Sequence, residues 1–296
     1  MNFGKVDDPT VVDFGIPADD AATLKVLNNE ADDSFEVYVG CAKWNKTDLK
    51  DFYPKGTKDE LTYYSRQFNS IEMNSVFYNM PKAEQVLKWK NKTPEGFKFF
   101  PKITQSISHM RRLDNVEELT KIYCDVISHF EDKLGMCFLQ LHDNYGIRGF
   151  DKLKAFVADF PKVIPLAVEV RGKVWYLNKD LWREYCNFLE TQHTTNVIVD
   201  TAGRRDMMHM RLTTSTAFVR FVGCNVDKID YQRIDDWVER IMLWKEAGLK
   251  RLFFFVHQNV EKSSPLFSAY LIDKLNKNMN LGLHIPEIGN EQKQLF

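Results

Sequence analysis

Charged and amide residues interrupt or end most of the short apolar segments of this chain. Those within or directly after these segments are Glu72, Asn74, Lys102, Gln140, Glu169, Arg171, Asp200, Arg220 and His257. A segment that is apolar along its whole length is typical of a strand that is buried on both faces. An unpaired charge there costs several kcal/mol, so these side chains must contact one another, a ligand or water.

Six of these side chains are charged, and their charges balance. The acidic ones are Glu72, Glu169 and Asp200, and the basic ones are Lys102, Arg171 and Arg220. A carboxylate beside a carbonyl group can transfer a proton, and Arg or Lys side chains bind carboxylates and phosphates. We therefore predict that the three acids and the lysine are catalytic and that the arginines bind an anionic substrate. The alternative is a set that neutralises itself, as an internal ion-pair network that only closes one end of the fold.

Two neighbouring features allow a more specific interpretation. Because side chains alternate between the faces of a strand, Glu169 and Arg171 share one face. Lys102 lies in an apolar strand, where burial beside other cations lowers the pKa of a lysine and favours Schiff-base chemistry. Pairing with a carboxylate is the alternative for this lysine.

A hard divalent cation such as Mg²⁺ or Mn²⁺ is an alternative partner for the carboxylates, with His257 as a further ligand. Arg171 beside Glu169 argues against such a site, because a guanidinium competes with the cation. The sequence therefore implies no particular cofactor and leaves a divalent metal as the alternative.

Loops after the predicted strands hold further candidates for substrate binding. Tyr53, Tyr78 and Trp175 follow strands 1, 2 and 5, where aromatic rings either stack on a sugar or base or simply pack the loop. His109 follows strand 3 and is either an acid or base or a surface histidine. The sequence contains no P-loop, no GxGxxG after a strand, no HExxH and no GxSxG.

The elements that must position these residues are eight apolar strands that alternate with helical segments. The strands are predicted at 36–41, 70–74, 97–103, 135–141, 165–171, 196–200, 216–222 and 251–256. This pattern predicts a single (β/α)8 TIM barrel over residues 36–296, whose functional groups gather at the C-terminal ends of the strands. The helix after strand 6 is the least regular, because MMHMRLTTST has no helical period.

Residues 1–35 are predicted to form an acidic N-terminal extension. They hold eight acidic residues against two lysines and so carry −6, while the rest of the chain carries +5 of the formal net charge of −1. With few large apolar residues, this extension is expected to be a solvated arm or a partial cap over the bottom of the barrel.

Net charge, cysteines and hydropathy narrow the class of protein. A formal net charge of −1 provides no strong field for nucleic acid or an anionic membrane. Five cysteines without CxxC spacing, and an amino terminus without a basic and apolar signal, favour reduced thiols and a cytoplasmic location. No apolar run approaches about 20 residues, so no membrane association is expected.

Several segments resemble one known family. GCAKW, FYP, FNSIEMNSVFYNMP, TPEGFKFFPKI, FLQL, VEVR, VD and VRFVG are similar to the YecE-like family, also called domain of unknown function 72, over about residues 37–260. The resemblance implies a TIM barrel with a polar site at its C-terminal mouth, a remote likeness to sugar-isomerase-type barrels and a function that is not established. Matched position by position, the polar residues of the family are here Trp44, Tyr53, Glu72, Asn74, Tyr78, Lys102, His109, Gln140, Glu169, Arg171, Trp175, Asp200 and Arg220.

The chain departs from the family pattern at several positions. Gly172 and Val222 stand where histidines are common, which weakens a histidine-based acid–base step or metal site. His142 replaces a proline after strand 4, and Cys41 and Lys43 replace a small Gly/Ser-type run. The set of carboxylates, arginines and lysine is retained.

Three functions follow as hypotheses. The leading one is an enzyme for a small anionic metabolite, a sugar phosphate or sugar acid, with an isomerase- or lyase-type proton transfer. The second is a non-catalytic barrel that binds or senses the same anion. The third is metal-dependent processing of nucleic acid, which the near-neutral charge opposes. A catalytic Glu needs a pKa displaced towards neutrality, whereas an anion clamp leaves its carboxylates ionised at pH 5.

Overall fold

Eight parallel strands and ten α-helices build the part of the protein that the computed structural model describes, residues 4–28 and 34–288. The strands are β1 Glu36–Cys41, β2 Ser70–Met73, β3 Lys98–Pro101, β4 Cys137–Gln140, β5 Leu166–Glu169, β6 Thr195–Asp200, β7 Thr216–Gly223 and β8 Arg251–Gln258. Each coincides with a predicted segment, so the predicted order of strands is confirmed.

Helices connect most of the strands. They are α1 Ala21–Leu27, α2 Glu60–Gln67, α3 Ser75–Tyr78, α4 Ala83–Lys92, α5 Glu117–Ile127, α6 Phe150–Asp159, α7 Lys173–Leu177, α8 Lys179–Thr191, α9 Asp227–Glu246 and α10 Ser264–Met279. Side-chain caps begin three of them, since Asp20 accepts from the Ala22 amide, Asp59 from the Thr62 amide and Asn178 from the Leu181 amide. Within the described ranges, no helix is both long and apolar enough to cross a membrane.

The predicted closed eight-stranded TIM barrel is wrong, although the α/β class is confirmed. Six strands form one open parallel sheet in the order β1-β8-β7-β6-β5-β4, and β2 and β3 form a separate two-stranded sheet. Alternating strands and helices specify parallel strands, but they do not specify that every neighbouring pair forms a continuous hydrogen-bonded ladder.

The interruptions lie on either side of the β2–β3 pair. Only two isolated bridges, Phe99 with Leu134 and Lys102 with Phe138, link the region of β3 to that of β4. Beside β1, the Asn69 side chain donates to the carbonyl oxygen of Val37 at 2.8 Å and accepts from the amide of Val39 at 3.0 Å. A side chain therefore satisfies backbone groups that a ladder would otherwise satisfy.

The two faces of the strands carry different side chains. One face packs against the helices through residues such as Val168, Ile198 and Val219. On the other face five phenylalanines form an aromatic cluster, consisting of Phe100, Phe138, Phe218, Phe253 and Phe255. The Phe100 ring lies 4.7 Å from that of Phe253 and 4.8 Å from that of Phe255. This apolar cluster lies below the polar residues at the C-terminal strand ends.

Residues 4–28 pack where a helix between β6 and β7 would lie. After β6 the chain forms only a 3₁₀ turn, which agrees with the absence of a helical period there. Thr23 of α1 is buried and its hydroxyl donates to the carbonyl oxygen of Met210 at 2.8 Å. Asp19 accepts from Arg240 of α9 at 2.6 Å. Residues 4–28 thus contact the fold along the β6–β7 connection.

Candidate functional site

Eight polar side chains from six strands meet above the aromatic cluster and form a charge network. Its members are Glu72, Asn74, Lys102, Gln140, Glu169, Arg171, Arg220 and His257. They lie at or just after the C-terminal ends of β2, β3, β4, β5, β7 and β8. Six of the eight are buried, and contact with one another is one of the three outcomes that the sequence left open, beside contact with a ligand or with water.

Arg220 on β7 joins the two glutamates of the charge network. Its Nε and Nη2 donate to the two oxygens of Glu72 at 2.8 and 2.9 Å, and its Nη1 donates to Glu169 at 2.7 Å. All three side chains are at most 1 % exposed. Burial opposes the charge on Arg220, but the two carboxylates outweigh it and raise the pKa of the guanidinium. A forked pair of this kind fixes the geometry of both partners.

Glu72 on β2 has two further partners. Asn74 donates to one carboxylate oxygen at 2.7 Å, and the His257 Nε2 lies 3.1 Å from the other. Because an ionised carboxylate only accepts, the proton of this bond belongs to the imidazole. Burial acts to raise the pKa of Glu72, but Arg220 and His257 hold it well below its usual range. Glu72 is therefore ionised at neutral pH.

Glu169 on β5 is bound from two other directions. The Gln140 Nε2 lies 2.9 and 3.0 Å from its two oxygens, and the Arg171 Nε donates to it at 2.5 Å. Burial acts to raise the pKa of Glu169, but Arg171 and Arg220 outweigh it and lower the pKa to about 2. Both glutamates stay ionised at pH 5, which is the behaviour expected of a clamp rather than of a proton donor.

Lys102, just after β3, differs from the other charged members of the network. Its Nζ donates to the Gln140 Oε1 at 2.7 Å and lies 3.9 Å from the centre of the Phe77 ring. Within residues 4–28 and 34–288, no carboxylate oxygen lies within 4.0 Å of this nitrogen. Burial, followed by the charges of Arg220 and Arg171, lowers the pKa of Lys102 to about 7. The charge of Lys102 therefore changes near neutral pH.

His109 lies beside the network at its accessible edge. It belongs to the short π-helical turn Ser106–Met110, and its ring lies 4.9 Å from Phe77 and 5.3 Å from His142. Burial and the charge of Lys102 lower the pKa of His109 to about 4, so it is a neutral imidazole at pH 7. Single-turn π-helices occur frequently at functional sites.

Two residues at this edge were not among the predicted site residues. His142 is exposed and contacts the His109 ring, and Asp143 lies 4.0 Å from Arg171. The sequence did hold a signal for His142, since it stands two residues after Gln140 and therefore on the same face of an extended chain.

Asp200, predicted to be catalytic, lies on the helix-facing side of β6, away from the charge network. It pairs with Arg233 at 2.9 Å and accepts from the Trp237 Nε1 at 2.8 Å. Burial acts to raise the pKa of Asp200, but Arg233 and Arg205 lower it. Val199, one residue earlier, lies on the face of the aromatic cluster, so alternation directs Asp200 to the opposite side.

The predicted aromatic residues also lie outside the charge network. Trp175 is fully buried, and its Nε1 donates to the carbonyl oxygen of Tyr145 at 2.8 Å. The Tyr53 hydroxyl donates to the carbonyl oxygen of Trp44, whose ring lies edge-on to Trp89. These three rings pack loops. Tyr78 is 65 % exposed beside Phe77, at the accessible edge of the network.

A metal site does not assemble from the predicted ligands. In the described part of the chain, no three His, Cys, Asp or Glu side chains are grouped so that they could hold a metal ion. Glu72 directs both oxygens to Arg220, and Asp200 lies on the other face of the strands. The residues present therefore fit an ion-pair network better than a divalent cation.

Comparison with known proteins gives a consistent result. A family model described as protein of unknown function DUF72 matches residues 38–290. The UPF0759 protein YecE of Escherichia coli (strain K12) is 25 % identical over 274 residues, which cover 86 % of this chain and 95 % of that protein. The UPF0759 protein YunF of Bacillus subtilis (strain 168) is 25 % identical over 178 residues, which cover 55 % of this chain and 60 % of that protein.

Two solved structures share the fold. A DUF72 family protein from Thermotoga maritima MSB8 superposes with a TM-score of 0.67 at 22 % identity, covering 83 % of this chain and 100 % of that one. A DUF72 family protein from Enterococcus faecalis V583 gives a TM-score of 0.65 at 19 % identity, covering 85 % of this chain and 100 % of that one. At these identities the likeness concerns the fold alone.

Proposed function

The chain belongs to the DUF72 family of proteins of unknown function, and we propose that it is an enzyme that binds a small anionic metabolite at the charge network and transfers a proton beside its carbonyl group. The observation that carries this proposal is Lys102, a buried amine whose hydrogen-bond partner is the neutral amide of Gln140. The substrate class that fits best is a sugar phosphate or a sugar acid.

The balance of charge supports an anionic ligand. Glu72 and Glu169 neutralise Arg220 and Arg171, so neither glutamate is left to neutralise a protonated Lys102. A buried excess charge is costly, and a phosphate or carboxylate placed beside it removes that cost. Arg171 is 12 % exposed, which places its guanidinium at the edge that an incoming anion reaches first.

The proton-transfer role moves from the glutamates to Lys102. Glu169 has a pKa of about 2 and is a poor base, whereas a group with a pKa of about 7 is present in both protonation states at neutral pH. General acid–base catalysis is most effective under the second condition. In this account Glu72 and Glu169 position Arg220 and Gln140, and Gln140 in turn positions the amine.

A second candidate function is non-catalytic binding or sensing of the same anion. It is favoured by one observation, that both glutamates are held ionised by guanidinium partners, as in a static clamp. This candidate needs the same ligand class and no turnover, so one pair of experiments separates the two.

The test has a binding step and an exchange step. Thermal-shift measurements against sugar phosphates, sugar acids and dicarboxylates identify a ligand, since a compound at about 100 times its Kd adds roughly 2.7 kcal/mol of stability. The bound compound is then incubated with the protein in D₂O, and NMR follows exchange of the hydrogen next to its carbonyl group.

The proposal predicts exchange with the wild-type protein and with Lys98→Met, but no exchange with Lys102→Met. Lys98 is a matched control because it lies at the start of β3, four residues before Lys102, and donates to the carbonyl oxygen of Asp132, away from the network. Binding without exchange in the wild-type protein would establish the sensing function instead. The absence of any thermal shift across the three compound classes would overturn both functions.

A further inference from the structure

We propose that Lys102 is the nucleophile of a Schiff-base site and forms an imine with the carbonyl group of an anionic substrate. This inference rests on the proposed function and deepens it, because it assigns a covalent role to the amine and restricts the substrate to aldehydes and ketones that also carry a phosphate or carboxylate. Four features of the site support it.

The first feature is the absence of a counter-ion. Lysines are rarely buried unless they are paired with an acid. Lys102 is 7 % exposed, and within residues 4–28 and 34–288 no carboxylate oxygen lies within 4.0 Å of its Nζ. The two glutamates of the network are bound to guanidinium groups. The positive charges of these guanidinium groups lower the pKa of the Lys102 amine. These surroundings favour the neutral, nucleophilic amine, and the lowered pKa of Lys102 agrees with them.

The second feature is the orientation of Gln140. Its Nε2 donates to both oxygens of Glu169, at 2.9 and 3.0 Å, and this contact settles which end of the amide faces Lys102. The Oε1 therefore accepts an N–H from Lys102 at 2.7 Å. An acceptor binds a hydrogen of the amine and not its lone pair, so the lone pair stays available for attack.

The third feature is the aromatic wall. The Phe77 ring lies 3.9 Å from the Lys102 Nζ and 4.9 Å from the His109 ring, so it lies against both groups. Beneath the network, Arg220 lies over Phe138 at 5.4 Å, above the rest of the aromatic cluster. The Phe77 ring and the burial of Lys102 reduce access of water to the amine, and this protects an imine from hydrolysis.

The fourth feature is the pair of groups at the accessible edge. His109 lies against the Phe77 ring and is a neutral imidazole at pH 7, so it can form a hydrogen bond with the bound substrate. Arg171 lies beside Glu169 at the same edge and is suited to the anionic group of the substrate.

The covalent step balances without a redox partner. The lone pair of the Lys102 nitrogen attacks the carbonyl carbon, and a carbon–nitrogen double bond replaces the carbon–oxygen double bond. The oxygen leaves as water with the two hydrogens of the amine. Protonation of the imine nitrogen then withdraws electrons from the adjacent carbon, so that the hydrogen of this carbon leaves as a proton to solvent at the accessible edge. Lys102 thus promotes the exchange of the proposed function through the imine, and not as the base.

Reductive trapping tests the inference. The purified protein is incubated at pH 7 with dihydroxyacetone phosphate or pyruvate in the presence of sodium cyanoborohydride, whose hydride reduces a protonated imine to a stable secondary amine. Peptide mass spectrometry then locates the adduct. We expect labelling of Lys102 to exceed that of any other lysine by at least about tenfold, because exposed lysines with a pKa near 10.4 are almost fully protonated at this pH.

Variants and a matched ligand complete the design. Lys102→Met should lose this adduct while Lys98→Met keeps it, with circular dichroism to check that both fold. If Lys102→Met does not fold, the position of the adduct in the wild-type protein still decides the test. Adducts spread evenly over the lysines would overturn the inference.

Glycerol 3-phosphate, which has the anion but no carbonyl group, separates failure of the inference from failure of the proposed function. A thermal shift with glycerol 3-phosphate that is lost in Arg171→Met, without an adduct at Lys102, would remove the imine and leave anion binding intact. No shift with glycerol 3-phosphate, dihydroxyacetone phosphate or pyruvate, together with no adduct, would count against both.

Discussion

Arg220 and its two carboxylate partners determine how the other residues of the charge network are placed. The guanidinium holds Glu72 with two donors and Glu169 with a third, and all three groups are buried. Removing one partner of a buried ion pair leaves an uncompensated charge, whereas removing both partners is much less costly. The free energies of unfolding of single and double variants can therefore show whether these residues act as ion pairs.

Arg220→Met is expected to lower the free energy of unfolding by roughly 3–5 kcal/mol, because two carboxylates then lack their counter-ion. Urea denaturation at pH 7 measures the change. The double variant Arg220→Met, Glu72→Gln should be less destabilised than the sum of the two single variants. Additive losses would show that Arg220 and Glu72 do not act as a pair.

The lowered pKa of Glu169 predicts how the stability of the protein depends on pH. Its folded pKa of about 2 lies below the unfolded value of about 4.3, so its stabilising contribution is complete above about pH 5 and is lost as the pH falls towards 2. The contribution is on the order of 3 kcal/mol. The stability difference between the wild-type protein and Glu169→Gln should therefore narrow between about pH 5 and pH 2 in chemical denaturation. A difference that stays constant over this range would contradict the assignment.

The strands determine where the residues of the charge network lie. The sequence pattern of the strands predicted only some of these positions. Apolar runs located all eight strands, and alternation correctly placed Glu169 and Arg171 together. In a strand that is buried along its whole length, such as β6, however, the pattern does not reveal which side chains face the helices and which face the aromatic cluster. Asp200 was for this reason expected in the site, although it pairs with Arg233 on the helix-facing side.

The sequence pattern also did not predict that the sheet stays open between β1 and β4. β2 and β3 contain four residues each, and side-chain bonds from Asn69 take the place of a ladder beside β1. Strand lengths and backbone pairing at such edges depend on local geometry that hydrophobic periodicity does not encode.

Asn69→Ala is expected to destabilise the protein by about 1–3 kcal/mol, because the carbonyl of Val37 and the amide of Val39 lose their partner. Hydrogen exchange should show faster exchange of the Val39 amide. Asn187→Ala, at an exposed position of α8, is the matched control and should leave both stability and exchange unchanged. Equal effects of the two changes would contradict the role of Asn69 as the link to β1.

At the scale of the whole molecule, residues 4–28 of the acidic segment before β1 pack against the fold, while residues 1–3 and 29–33 of that segment lie outside the described residues. Thr23 and Leu27 of α1 are fully buried, and Asp19 pairs with Arg240. The low content of large apolar residues in residues 1–35 did not indicate this, because only a few of them make the contacts.

The five cysteines are free, and four of them are buried.

Two leucines of α1 test the packing of this segment. Leu27→Ala should lower the free energy of unfolding by about 2–5 kcal/mol, because Leu27 is fully buried. Leu24→Ala, on the same helix but 45 % exposed, should change it by no more than about 0.5 kcal/mol. Thermal or urea unfolding compares the two variants. A small and equal effect of both would show that α1 does not pack against the fold in solution.

The central claim is that Lys102 has a pKa near neutral pH and is not an ordinary ion-paired lysine. Its pKa can be measured directly by NMR titration of the lysine side-chain carbons, with Lys102→Met to assign the signal. We expect a titration midpoint near 7, the value about which the surrounding charges and burial place it. A midpoint near 10.4, the value of an unperturbed lysine, would contradict the account of the site.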